Sequence, residues 1–358
     1  TRRGWMSYVD LRPDDELLAW DQITGTTRWE KPREIFVAEY RGEMVLLGDR
    51  TFSALTTPEH RWPVFTRSGG FGVRQTRSLG RSGLIPRNAP CEDVPTKPTY
   101  SDAFVRVVAW YMAEGTRSTD TQRLVITQSH VVNPAHVEAS RNDLVELGAK
   151  RKTQREGMAR RHHRPGGGLA PSARWSGLLV TERNEDNRVT RFSLTGTVVD
   201  DITAVCVGAE KVPSAEFLLT LTQEQLEMFL DTCQRGDVTP KERRFFQYHD
   251  ARMDAYCMAA VLAGYEPSLD RVGHTCVLNR GRRGRRDERK TYVHVEEMSR
   301  RSVEYEGPIW CPVLPSSFWV ARRQGRVYIT GNTTGTVTVT AASAVVTGAS
   351  TVWTSAMT

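Results

Sequence analysis

What most limits the fold is that β-pattern occurs at both ends of the chain and is interrupted in the middle. Residues 1–65 read as short strands and turns. Met44-Val45-Leu46-Leu47 is a buried-strand run, Asp21-Gln22-Ile23-Thr24-Gly25-Thr26 has hairpin-turn chemistry, and Trp5, Trp20, Trp29 and Phe36 offer core area. Ser68-Gly69-Gly70 and the prolines Pro86, Pro90, Pro95 and Pro98 read as a connector. Strand pattern returns from Thr291, in Tyr292-Val293-His294-Val295, Ile309-Trp310-Cys311-Pro312-Val313, Phe318-Trp319-Val320 and Val327-Tyr328-Ile329. Neither β segment is long enough to bury much alone. The two are therefore expected to fold together, with the intervening residues inserted at a surface loop.

The intervening region is mixed α and β. Phe104 to Met112 is an apolar helix that stops at Gly115, and Asn142 to Gly148 is the end of a second helix. Residues 214–236 are helical, most clearly over 222–235, and Asp250 to Leu262 is an amphipathic helix closed by Gly264. The chain is 25% charged, yet from Thr333 to Thr358 it carries no charged residue. That tail alternates Val, Thr and Ala, which suits strands and reads as part of a different protein. The expected division is 1–98 for the first part of the β domain and a connector, 99–297 for the insert, 298–332 for the second part, and 333–358 for flanking protein.

Hydrophobic residues make up 39% of the chain, which excludes wholesale disorder and a collagen-like chain. The net charge of +7 hints at a polyanionic partner. No apolar run approaches the ~18 residues that span a bilayer, so no membrane partner is expected. Arg2-Arg3-Gly4-Trp5 is not followed by the apolar core of a secretory signal. The six cysteines form no CxxC pair, which argues against a Cys-rich zinc site and fits a reducing, cytoplasmic compartment.

Three strings carry chemistry in the β-rich ends. Thr57-Pro58-Glu59-His60-Arg61-Trp62 has the form TxxHxW. Arg322-Arg323-Gln324-Gly325-Arg326-Val327-Tyr328-Ile329-Thr330-Gly331-Asn332-Thr333 ends at the compositional boundary. Gly4-Trp5 followed by Leu11-Arg12-Pro13-Asp14-Asp15-Glu16-Leu17-Leu18-Ala19-Trp20-Asp21 opens the chain. Singly, Trp62 reads as a core aromatic, Cys311 as a buried thiol and His60 as a structural imidazole. In this order, over residues 1 to about 65 and 300 to 333, they resemble an intein, an element that excises itself and joins its flanks. The resemblance implies an all-β hedgehog–intein (Hint) horseshoe built from both ends. It implies that Thr57 and His60 strain and protonate the N-terminal scissile amide. Asn332 would cyclise through its side-chain amide and cut the C-terminal junction, and the Thr333 hydroxyl would receive the N-terminal flank.

Trp62, Cys311 and Thr330 match a third class of inteins, in which the first residue is not the nucleophile. There Cys311 would take the N-terminal flank as a thioester before passing it to Thr333. Two positions depart from the family pattern. Gly331 stands where many inteins have His, and Ser316-Ser317 stand where another His is frequent. Thr1 matches a point several residues inside the family's opening, so the first splice junction is expected upstream of it.

Val107-Val108-Ala109-Trp110-Tyr111-Met112-Ala113-Glu114-Gly115 resembles the LAGLIDADG motif of homing endonucleases. Leu230-Asp231-Thr232-Cys233-Gln234-Arg235-Gly236-Asp237-Val238 is similar to a second, altered copy. The resemblance implies an inserted α+β endonuclease domain in which the two motif helices pack face to face. Glu114 and Asp237 at their ends would bind Mg²⁺ and cut double-stranded DNA. Lys150-Arg151-Lys152, Arg155, Arg160-Arg161 and Arg164 form one basic cluster, and Arg280, Arg282-Arg283, Arg285-Arg286 and Arg289-Lys290 another. Lys150, Arg151, Lys152, Arg282, Arg283, Arg285 and Arg286 are the candidate phosphate contacts. The expected protein is monomeric, resides in the cytoplasm of a bacterial or phage-infected cell, and has its flanks as partners in cis. The competing reading is a free-standing LAGLIDADG-type DNA-binding or nuclease protein without splicing activity.

Overall fold

The computed structural model describes residues 1–49, 51–118, 123–148, 150–151, 168–170, 179–185, 188–237, 244–270, 274–279, 292–331, 335–339 and 346–351. The chain is mostly β-sheet with some helices, an α+β protein. It divides into two compact units. One comprises Thr1–Asp93, Ala260–Arg271 and Val277–Thr358, the other Val94–Ala259 and Val272–Cys276. These breaks fall elsewhere than the pattern boundaries at 98/99 and 297/298. The reason is that 260–271 and the strands after residue 277 pair within the first unit.

The first unit contains β1 (Leu17–Trp20), β2 (Thr27–Glu30), β3 (Glu34–Gly48), β4 (Ser53–Thr56), β5 (Arg61–Phe65), β6 (Phe71–Gln75) and β7 (Leu84–Pro86). It continues with β8 (Glu266–Asp270), β9 (Tyr292–His294), β10 (Ser299–Val313), β11 (Phe318–Arg323) and β12 (Arg326–Gly331). Strands β8, β12, β11, β1 and β2 lie side by side in one sheet. Strands β9, β7, β5 and β6 form another, and β10, β3 and β4 a third. The two ends of the chain are zipped together by β3 and β10, antiparallel over their whole lengths from Glu34↔Val313 to Gly48↔Ser299.

Turn chemistry sets two of the hairpins. Between β1 and β2, Asp21 Oδ1 accepts from Ile23 N at 2.7 Å, the local bond that makes Asp a turn former. Between β11 and β12, Gln324 and Gly325 have φ of 48° and 73°, the paired left-handed conformation of a two-residue hairpin loop. The core gathers Leu47, Phe52, Trp62, Ile85, Val293 and Tyr328 from both ends of the chain.

Ser68-Gly69-Gly70 and the prolines after it are more than a connector. Residues 66–70 turn β5 into β6, and β7 follows as a paired strand. Asn88 and Ala89 are buried and Pro90 half-buried, held by Asn88 Nδ2 donating to the carbonyls of Val261 and Tyr265 and by Thr27 N donating to Pro90 O. Proline-rich pattern signals an absence of regular structure, and says nothing of whether side-chain amides tie the backbone down.

The second unit contains α1 (Asp102–Glu114), α2 (Pro134–Glu146), α3 (Thr197–Val205), α4 (Ala215–Leu219) and α5 (Gln223–Asp237). Residues 102–114 and 223–237 cover the two motif helices. Ser101 caps α1 by accepting from Phe104 N. An antiparallel sheet places Gly115–Ser118 beside Arg123–Ser129, then Val189–Thr195, Leu179–Glu185, Gly168–Ala170 and Lys150–Arg151. Among the described residues no helix is long and apolar enough to cross a membrane.

Candidate functional site

The TxxHxW string becomes a turn and a strand. Pro58 and Glu59 form the turn, His60 N donates to Thr57 O at 3.2 Å, and Pro58 occupies the corner position its fixed φ favours. The turn delivers His60 to the start of β5 and Trp62 into the core. Trp62 is fully buried, its ring 5.8 Å from Phe52 and 5.9 Å from Tyr328. His60 stands edge-on to Trp62, with ring centroids 4.9 Å apart and an interplanar angle of 69°.

The other half of the site arrives on β12. Thr330 is buried, and its Oγ1 lies 2.5 Å from His60 Nε2, with the donor set by the imidazole tautomer. Thus two residues 270 positions apart share a hydrogen bond. The packing around the imidazole pushes the His60 pKa down to about 4, so the ring is neutral at pH 7. A neutral imidazole can relay a proton to a departing amine by taking one at one nitrogen as it gives one from the other.

Sequence reasoning missed Thr76, which holds this arrangement together. Its hydroxyl accepts from Trp62 Nε1 at 2.8 Å and lies 3.0 Å from Thr56 Oγ1. Its backbone N–H donates to His60 O at 2.8 Å. Nothing in Gln75-Thr76-Arg77-Ser78 marks the residue out, because its role comes from the return of the chain after β6.

Gly331 gains a physical reason. A Cβ there would lie 2.7 Å from Arg61 O and 3.2 Å from Phe318 Cε1, so only glycine lets β12 pass the backbone next to His60. Arg61 and Phe318 also line an open cavity of about 450 Å³, together with Ser316 and Ser317. The cavity therefore opens at the end of the strand that leads to position 332.

Cys311 is buried on β10 opposite Phe36, its thiol 3.6 Å from Pro312 O. The adjacent Trp310 ring packs 5.2 Å from Trp319, which is opposite Thr330 in the β11–β12 ladder. The structure thus groups His60, Trp62 and Thr330 directly, while Cys311 is the sequence neighbour of Trp310, whose ring packs on Trp319. Thr57 contributes its carbonyl to the turn. Asn332 and Thr333 lie outside the described residues.

In the second unit α1 and α5 meet at small residues. A Cβ on Gly236 would lie 2.6 Å from Ala113 Cβ and 3.4 Å from Glu114 Cγ. Ala113 and Gly236 are the seventh positions of the two motif copies, so the copies touch at equivalent points. Glu114 is half-buried, and burial raises its carboxyl pKa, opposed by the charge of Lys211. The buried Lys211 ammonium donates to Gly115 O and, at 3.2 Å, to Tyr111 O, which satisfies carbonyls at the C-terminus of α1. Asp237 ends α5, and its side chain lies outside the described residues.

Among the described residues no group of three or more His, Cys, Asp or Glu could hold a metal. Lys150 and Arg151 form a two-residue strand paired with Ala170 and Leu169, their side chains outside the described set. Lys152, Arg282, Arg283, Arg285 and Arg286 lie outside the described residues. Compared with known proteins, the chain matches no family model and no curated sequence.

Proposed function

We propose that the chain is a protein-splicing element of the third, Trp/Cys/Thr type, whose Hint-like splicing domain carries a LAGLIDADG-type endonuclease. The observation that carries the reading is the 2.5 Å contact between His60 and Thr330, with Trp62 packed on the imidazole and Gly331 pressed against Arg61. It joins two motif strings from opposite ends of the sequence, at the end of the strand that leads into Asn332. A free-standing nuclease offers no reason for that junction.

In this reading the Cys311 thiolate attacks the carbonyl carbon of the residue before the element. The scissile C–N bond breaks, and the departing amine takes a proton supplied through His60. The Thr333 hydroxyl then attacks the thioester and loses its proton, forming an ester and returning the Cys311 thiolate, which balances the proton taken by the amine. Asn332 Nδ2 attacks its own main-chain carbonyl, closing a succinimide and releasing the Thr333 amine. That amine takes over the acyl group from its own hydroxyl, leaving an ordinary peptide bond between the flanks.

The acidic positions fit a divalent cation, because the Ala113–Gly236 contact brings the C-terminal ends of α1 and α5 together. Glu114 and Asp237 would hold Mg²⁺, which when bound supplies an activated water and charge stabilisation for phosphodiester cleavage. Lys211 fixes the end of α1 and with it the Glu114 backbone.

The test is a precursor in which the full-length element is fused between two flanking proteins. Ligated flanks are expected, lost in Cys311→Ala and stopped before C-terminal cleavage in Asn332→Ala. Glu114→Gln should leave ligation intact and remove Mg²⁺-dependent cutting of the empty insertion site. Normal splicing by Cys311→Ala refutes the third-class mechanism. Cutting unaffected by Glu114→Gln refutes the nuclease assignment.

A further inference from the structure

The segment Glu266-Pro267-Ser268-Leu269-Asp270 reads as part of the insert, yet it folds as β8 beside β12 in the first unit. Ser268 is paired with Arg326, and Leu269 N donates to Gly325 O at 2.8 Å. Arg326 Nη1 donates to Leu269 O at 2.8 Å, and a Cβ on Gly325 would lie 2.6 Å from Leu269 Cβ. The β11–β12 turn is thus seated on Leu269.

A buried ion pair locks this arrangement. Arg87 Nη1 is 2.8 Å from Glu266 Oε2, with side-chain exposures of 3% and 6%. The same guanidinium donates to Thr51 O at 2.6 Å, to Ser268 Oγ at 3.2 Å and to Val327 O at 3.3 Å. Val327 is three residues before Thr330 on the same strand. A desolvated guanidinium holds its place while its carboxylate is present, and removing that partner leaves an uncompensated buried charge. Arg87 would then turn toward water and release Val327 O.

We propose that Glu266 and Arg87 are positioning residues for the C-terminal splice step, acting through β12 on Thr330. Splicing would then depend on residues that follow the nuclease helices in sequence. The inference rests on the splicing reading, and it assigns to β8 a part in the chemistry that the motif strings do not reach. It also sets the largest excision that does no harm: a cut that takes out 266–270 uncovers β12, whereas one that ends before 260 does not.

The test uses the full chain with both flanks and compares Glu266→Ala with Glu266→Gln, which keeps an acceptor for Arg87. Three quantities are read: thiol-induced N-terminal cleavage at Cys311, C-terminal cleavage, and hydrogen exchange of the Val327–Thr330 amides. Misplacement of reacting groups costs about a hundredfold, so Glu266→Ala should slow C-terminal cleavage by about that factor. The Cys311 step shares the His60–Thr330 contact and should slow too, but by no more than about tenfold, because Asn332 follows β12 directly. Glu266→Gln should recover most of the loss, and exchange along β12 should rise in Glu266→Ala alone. Parental C-terminal cleavage in Glu266→Ala overturns the proposal, as does equal loss of both steps without recovery in Glu266→Gln. If the parent chain does not splice, the splicing reading fails. The exchange comparison then decides the positioning claim by itself, and unchanged β12 protection refutes it.

Discussion

Restoring the residue that many inteins have before the terminal Asn should harm this chain. In Gly331→His the first obstacle is the Cβ, not the imidazole. It would sit 2.7 Å from Arg61 O and 3.3 Å from Arg61 C, against backbone that cannot rotate away, with Phe318 Cε1 at 3.2 Å on another side. Relief requires β12 or β5 to move by several tenths of an ångström. Movement of β5 carries His60, and movement of β12 carries Thr330, so either route disturbs their 2.5 Å contact. Overpacking of this kind costs about 1–3 kcal/mol, or about 5- to 160-fold in rate where the strain falls on the cleavage step. The assay follows release of the C-terminal flank by mass spectrometry, in a chain carrying Cys311→Ala so that only Asn cyclisation is read. Gly331→Ala serves as the companion variant, since it introduces the offending atom without an imidazole. Both should be slowed and both should melt lower than the parent. Cleavage by Gly331→His at or above the parental rate, with an unchanged melting temperature, would refute the steric argument and restore the view that a missing histidine limits the reaction.

Thr76→Val removes the acceptor of Trp62 Nε1 and the partner of Thr56 while keeping the side chain's shape. A buried indole N–H left unsatisfied costs about 1–3 kcal/mol, read as a lower urea midpoint at constant slope. An unchanged midpoint would remove Thr76 from the site. The second prediction concerns pH. Burial lowers the His60 pKa from 6.5 to about 4, so the unfolded chain binds the proton more readily than the folded one. The His60 contribution to stability is therefore fully present above pH 6.5 and declines as pH falls toward 4. Urea midpoints measured across that window should fall in the parent and flatten in His60→Gln, and equal slopes in the two chains would contradict the assignment.

Elements with a strong local pattern were legible in the sequence. The hairpin at Asp21–Thr26, the apolar helix ending at Glu114 and the helix Asp250–Leu262 follow from turn residues and periodicity. Strand β8 was not legible. Its Glu266 and Ser268 are buried because Arg87 receives them, and a polar residue's partner leaves no mark on its own neighbourhood. The site divides in the same way. His60, Trp62 and Thr330 lie in strings that resemble intein motifs, and that resemblance groups them. Thr76 is a threonine among polar neighbours until β6 brings it back beside His60, and the need for Gly331 comes from the carbonyl of Arg61, far away in sequence. Periodicity reports which face of an element is covered, and not by what.

The distance between the two halves of the candidate site is a smaller obstacle than its length in residues suggests. The chain leaves the first unit after Asp93 and re-enters it at Ala260. Near those points Cys91 N donates to Leu262 O at 3.4 Å, and Asn88 Nδ2 donates to Val261 O at 2.9 Å. The exit and the return are hydrogen-bonded neighbours, so an insert of any length need only bring its ends to a separation that a folded domain with adjacent termini already provides. Even as a flexible loop, each doubling of the insert would add about 0.6 kcal/mol of closure entropy. That is comparable to the net worth of one hydrogen bond, about 0.5–1.5 kcal/mol. Insertion at this point therefore leaves the β3–β10 zipper and the His60–Thr330 contact close to their uninterrupted stability. The sensitive quantity is where the insert is taken to end, because β8 lies beyond the crossing point and the sheet needs it.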